Sequence, residues 1–213
     1  MHAERTENKV DGTPRMVEGA GAWLGEIIQN DPSWIVHWSS EQIAELEAAA
    51  DHFLKSGIAL EDISPKSFPL KKLGPFVAQT LNELLTGRGF VLLRGLPIKS
   101  WSIEKAAAVY MGLGCHMGSL RSSNGKGHLL GHVRDQGVKV EAGVRFYQTN
   151  RKLDYHTDSA DIVGLLCLQK AKVGGESFIA SSMTLNNKLV DRRPDLISAM
   201  FAPYPTDRRG EIP

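Results

Sequence analysis

LDYHTDSADIVGLLCLQKAKVGGESFIASS, residues 153–182, decides how this chain is read. At its head stands His156-Thr157-Asp158. On a β-strand, residues i and i+2 share a face, so this imidazole and this carboxylate would point into the same space. A neutral nitrogen beside an anionic oxygen supplies two of the three donors of a 2-His-1-carboxylate facial triad, which holds non-haem Fe(II) and leaves coordination positions open. The run IVGLLCL at 162–168 has the length and composition of a buried strand. Gly174-Gly175-Glu176-Ser177 then turns the chain, and Ser177-Phe178-Ile179-Ala180 returns as a further strand.

Upstream, residues 128–133, 144–149 and 153–158 read as strands of the same sheet, with 162–169 and 177–182 following them. The glycines and serines between Gly112 and Gly127 describe a loop. Before it, Ser102 caps a helix through Met111, and residues 90–94 form a short buried strand ended by Gly95 and Pro97. Two earlier helices are marked more clearly. Ser39 stands three residues before Gln42, a capping-box spacing, Ile43, Leu46, Ala50, Phe53 and Leu54 share one face, and Gly57 closes the helix. Pro75 opens the second, whose stripe is Phe76, Val77, Leu81, Leu84 and Leu85, and Gly87 ends it. Trp23, Trp34 and Trp38 lie in an irregular segment and anchor it by bulk. Downstream, Thr184 caps a helix through Leu189, and Pro194 starts another through Phe201. Helices followed by closely spaced strands predict an α+β fold with a sandwich-like β core.

The HTD motif, the apolar strand after it and the GG-x-S turn resemble the TauD/TfdA-like (taurine dioxygenase) family of Fe(II)/2-oxoglutarate-dependent dioxygenases. The segment Gly89-Phe90-Val91-Leu92-Leu93-Arg94-Gly95 adds to the likeness, and the shared motifs belong to the N-terminal half of that family. The resemblance implies a double-stranded β-helix core (a jelly roll, clavaminate synthase-like) behind N-terminal helices. It implies His156 and Asp158 as metal ligands and catalytic residues, and Ser177 as the hydroxyl that helps hold 2-oxoglutarate. The cofactors implied are Fe(II) and 2-oxoglutarate, and the partner a small-molecule substrate. The reaction implied couples oxidative decarboxylation of 2-oxoglutarate to oxidation of that substrate.

A jelly roll needs about eight strands, and the sequence offers about six, so the core is expected to be unfinished at its C-terminal end. The family takes its second histidine from a late strand, yet all seven histidines (His2, His37, His52, His116, His128, His132 and His156) precede Asp158. The arginine that pairs with the far carboxylate of 2-oxoglutarate follows that histidine in the family, so Arg208 and Arg209 are not assigned the role. His128 and His132 are four apart, but Gly125, Gly127 and Gly131 argue against a helix there, and the pair reads as polar residues along a strand. Gln148 and Asn150 could reach the pocket, whereas Asp161 is structural, because its odd spacing from Asp158 turns it to the other face. The expectation is therefore a dioxygenase domain over residues 21–213 lacking its distal His and Arg, behind a polar tail at 1–20 that is disordered or loosely docked. The rival expectation is a non-catalytic jelly-roll binding or regulatory protein of the same descent.

The bulk composition is compatible with either. At 213 residues, 42% apolar and 23% charged, the chain is that of an ordinary globular domain. A net charge of +1 gives no case for nucleic acid or an anionic membrane surface. Only Cys115 and Cys167 occur, and Cys167 reads as a small core residue within its apolar strand. No apolar run approaches the length of a membrane span. A cytoplasmic location is expected.

Overall fold

The computed structural model describes residues 15–122, 127–137 and 146–205. These hold six α-helices: α1 (Gly25–Ile28), α2 (Ser40–Ser56), α3 (Gly74–Thr86), α4 (Ile103–Met117), α5 (Ser182–Arg192) and α6 (Ile197–Met200). Two strands, β1 (Ile35–His37) and β2 (Leu92–Arg94), complete the regular structure. The chain divides into two compact units, one combining the N-terminal residues to Asp31 with Ala180–Asp207, the other built on Pro32–Ile179.

In the larger unit the helix signals are realised. Ser39 Oγ accepts from the Gln42 amide at 3.2 Å while Gln42 Oε1 accepts from the Ser39 amide at 2.9 Å, so the capping box satisfies two otherwise unpaired donors. Gly57 closes α2 at φ 70°, a left-handed conformation that costs glycine nothing. Pro75 lies in the first turn of α3. Leu46, Ala49, Ala50 and Phe53 of α2 pack with Phe68, Leu73 and Val77 and with Ala108, Val109 and Met111 of α4, and all are buried. Each large side chain so enclosed contributes about 1.5–3 kcal/mol. Trp38 joins this core and stacks obliquely on Phe76, with ring centroids 5.1 Å apart, and Trp34 meets Phe90 at 5.6 Å.

β1 and β2 pair in parallel with Ile35 opposite Leu92, Val36 opposite Leu93 and His37 opposite Arg94. A parallel pair needs a long crossover, which α2 and α3 supply. The expected strand at 90–94 is thus shorter, and Leu93 is its one half-buried residue. α4 runs six residues past its expected end, taking in Gly112 and Gly114. Gly112 is required there because a Cβ would fall 2.5 Å from the Phe68 ring.

The strands expected across the second half of this unit do not form among the described residues. Residues 127–137 and 149–179 run irregularly, and Phe146–Gln148 is a single 3-10 turn. Two ladder-like backbone bonds join this region, Arg134 N to Tyr147 O (3.1 Å) and Gln136 N to Gln148 O (2.9 Å). The apolar run at 162–168 is consequently not buried: Val163 and Leu165 are 54% and 76% exposed, and Cys167 is exposed rather than a core residue. A strand is held by neighbouring strands, and the apolar run has none among the described residues. Residues 144 and 145 of the expected 144–149 strand lie outside the described residues.

In the smaller unit the cap of α5 is Ser181, not Thr184: Ser181 Oγ accepts from the Thr184 amide at 2.9 Å and donates to the Gly21 carbonyl at 2.5 Å. Thr184 Oγ1 donates instead to the Trp23 carbonyl at 2.6 Å. Asn187 clasps Val17 through both amide groups at 2.8 Å, docking residues beside Arg15 onto α5. Pro194 opens a 3-10 turn that leads into α6.

No helix among the described residues is long and apolar enough to cross a membrane.

Candidate functional site

α4 is the rigid element nearest in bonding to the HTD segment. Its Tyr110 hydroxyl, half-buried against the core, donates to the Gly164 carbonyl at 2.5 Å. Burial pushes the phenol above its ordinary value, so it stays a protonated donor throughout the neutral range. Arg121, just beyond the end of α4, donates through Nη1 to the Ser159 carbonyl.

His156 and Asp158, both exposed, lie just before these two fastenings in the chain. His156 Nδ1 is 2.7 Å from the Asp154 carbonyl. A carbonyl can only accept, so Nδ1 carries the proton and the neutral ring keeps its lone pair on Nε2. Ser177, exposed, follows Gly174 and Gly175, whose φ values of 74° and 76° lie in the left-handed region that suits glycine.

Among the described residues no group of three or more His, Cys, Asp or Glu side chains gathers in a way that could hold a metal ion. His128 and His132 lie exposed on the irregular stretch 127–137. His116 is not in a loop but in the last turn of α4, its Nε2 bonded to the Phe68 carbonyl at 2.7 Å, a structural tie. Gln148 is half-buried and its carbonyl takes the Gln136 amide, while Asn150 is exposed. Arg208 and Arg209 lie outside the described residues. A surface cavity of about 340 Å³, lined among others by Glu61, Ser64, Cys115 and Leu120, does not include the HTD residues.

Tyr110 and Arg121 are the side chains that sequence reasoning missed. Tyr110 reads as one more apolar residue of a helix face and Arg121 as a lone cation in a Gly/Ser loop. Their partners are 54 and 38 residues away, beyond any periodicity.

Residues 55–211 match the family described as "Taurine catabolism dioxygenase TauD, TfdA family". The chain belongs to the TauD/TfdA family. Among its relatives, FR-33289 synthase of Streptomyces rubellomurinus is 33% identical over 199 residues, 92% of this chain and 59% of that protein. A taurine hydroxylase-like protein of Stachybotrys chartarum is 30% identical over 187 residues, 84% of this chain and 49% of that protein. The chain spans about half the length of the curated relatives it matches. The family is one of jelly-roll dioxygenases, generally dependent on Fe(II) and 2-oxoglutarate.

The donor types present are ones that Fe(II) accepts. An imidazole whose second nitrogen donates to a backbone carbonyl is the usual presentation of a metal-ligating histidine, because the outer bond sets tautomer and ring orientation. A carboxylate two residues on brings the hard anionic oxygen that Fe(II) takes beside imidazole.

Proposed function

We propose that this chain carries the His156–Asp158 arm of an Fe(II)/2-oxoglutarate-dependent dioxygenase that oxidises a small organic substrate. The observation that supports this most is the His156 Nδ1 bond to the Asp154 carbonyl, which leaves Nε2 as donor two residues from Asp158, inside the segment that matches the family. His156 Nε2 and one Asp158 oxygen would hold the iron, and the Ser177 hydroxyl would donate to a carboxylate of 2-oxoglutarate. Bound Fe(II) with 2-oxoglutarate supplies O₂ activation for oxidation of a C–H bond. The chain's own residues do the rest. Asp158 contributes one negative charge that offsets part of the metal's, and the Asp154 carbonyl keeps the His156 proton on Nδ1 and the ring in place. The names of the relatives, a synthase and a taurine hydroxylase-like protein, agree with a small-molecule oxidation.

Titrating the chain with Mn(II), a redox-stable stand-in for Fe(II), and following the loss of the free-ion electron paramagnetic resonance signal tests the ligand pair. Asp158→Ala and His156→Ala should each weaken binding at least about tenfold with the far-ultraviolet circular dichroism unchanged. Ser177→Ala should leave Mn(II) affinity alone and weaken 2-oxoglutarate about 3- to 10-fold, the range of one hydrogen bond. Mn(II) affinity indifferent to both ligand substitutions would remove the metal-binding reading and favour a non-catalytic binding protein.

A further inference from the structure

The segment from Asp154 to Gly164 sits in no sheet among the described residues, so its backbone has no ladder to hold it. Side chains take over that task at three carbonyls. Asp154 O is taken by His156 itself, Ser159 O by Arg121, and Gly164 O by Tyr110. The last two come from a single source, α4 and the residues just beyond it, and both follow the HTD motif, one and six residues after Asp158. α4 is anchored in turn by buried Ala106, Ala108, Val109 and Met111, and Tyr110 itself packs on that core. Gly164 is matched to this contact, since a Cβ there would lie 3.1 Å from the Tyr110 hydroxyl oxygen.

We infer that Tyr110 and Arg121 are positioning residues, which fasten the HTD segment to α4 so that His156 and Asp158 are presented together to the metal. The inference rests on the ligand reading above. The physical reason is entropic. An unpaired backbone costs conformational entropy to order, and two ligands on a free segment would lose that from their affinity for an ion. Fastening the segment beforehand removes the loss, as preorganisation does in any binding site. Neither residue is proposed as a ligand. Each acts through a backbone carbonyl.

Two readouts on the full 213-residue chain test this, with Tyr110→Phe, Arg121→Ala and Arg121→Lys as variants. The first is the initial rate of chymotryptic cleavage after Tyr155, which is 71% exposed and adjoins His156. Cleavage after Phe53, buried in α2, serves as the internal control for global unfolding. The second is Mn(II) affinity by the titration above. We expect cleavage after Tyr155 to accelerate about tenfold in Arg121→Ala and less in Tyr110→Phe, with cleavage after Phe53 unchanged. Mn(II) affinity should fall about tenfold in Arg121→Ala, in the range seen when outer-shell partners are removed, and Arg121→Lys should restore part of it. Unchanged cleavage after Tyr155 would overturn the fastening role. Faster cleavage with unchanged Mn(II) affinity, while Asp158→Ala still abolishes binding, would overturn the positioning role and leave the ligand pair standing. Wild-type binding that survives Asp158→Ala would instead overturn the ligand reading, and this inference with it.

Discussion

The Cys115 thiol donates to the Gly112 carbonyl one turn back at 3.1 Å, and burial pushes it up to about 11. At pH 7.5 that leaves roughly 0.03% as thiolate, the reactive species. Cys167 is exposed. Ellman's reagent should therefore label one thiol per chain quickly and the second only slowly. Cys167→Ser should remove the fast phase, whereas its survival in that variant would mean Cys115 is accessible after all. The sequence had suggested burial for Cys167, because an apolar run looks the same whether or not anything covers it. The His156-x-Asp158 motif was legible at this scale because it consists of residue type and spacing alone. The tautomer of His156 was not, because it depends on a carbonyl the fold brings to the ring.

Helix ends follow local rules and can be tested locally. Ser39→Ala removes one half of the α2 capping box and should cost about 1 kcal/mol in urea denaturation, the usual loss for a cap. No loss would mean that water replaces the hydroxyl without cost. At the other end of α3, Glu83 Oε1 accepts from Arg88 Nε at 2.6 Å, and that bond, with the Arg88 amide and charge, holds the Glu83 carboxyl below the ordinary glutamate range. A depressed folded value means the stabilisation is fully present above the unfolded value, about 4.3, and is lost as pH falls through the folded one. The gap in stability between wild type and Glu83→Gln should be present at pH 7 and close as the pH falls below the ordinary glutamate range. The carboxylate is 37% exposed, so the gap is small and shrinks further in salt. A gap that widened on acidification would contradict the assignment. The caps of α2 and α4 were readable in the sequence, while the C-terminal turn of α4 was not. Glycines read as loop residues there until Phe68 packs against one of them.

Over the whole molecule the consequence of the missing ladder is exposed apolar surface. Leu165, Val173 and Phe178 are 76%, 89% and 70% exposed along a stretch that also carries Val163 and Ile179. Exposed apolar side chains along one stretch invite association. The chain should bind 8-anilinonaphthalene-1-sulfonate and scatter light increasingly with concentration, and Val163→Lys with Leu165→Lys should reduce both without lowering the melting temperature. A wild type that stays dye-free and monomeric would show the stretch to be covered. The sequence by itself determined the longer helices of the N-terminal half, the caps of α2 and α4, most of the core faces of α2 and α3 (Leu54 and Leu85, expected on them, are 42% and 58% exposed), the His-x-Asp motif and the family likeness. These rest on contacts between residues near in sequence or on the residue types themselves. Only the tertiary structure decided that β1 pairs in parallel with β2, that α4 reaches Met117, that the run at 162–168 lies open, and that Tyr110 and Arg121 hold the HTD segment. Each depends on a partner tens of residues away, and a strand, unlike a helix, closes none of its hydrogen bonds within itself.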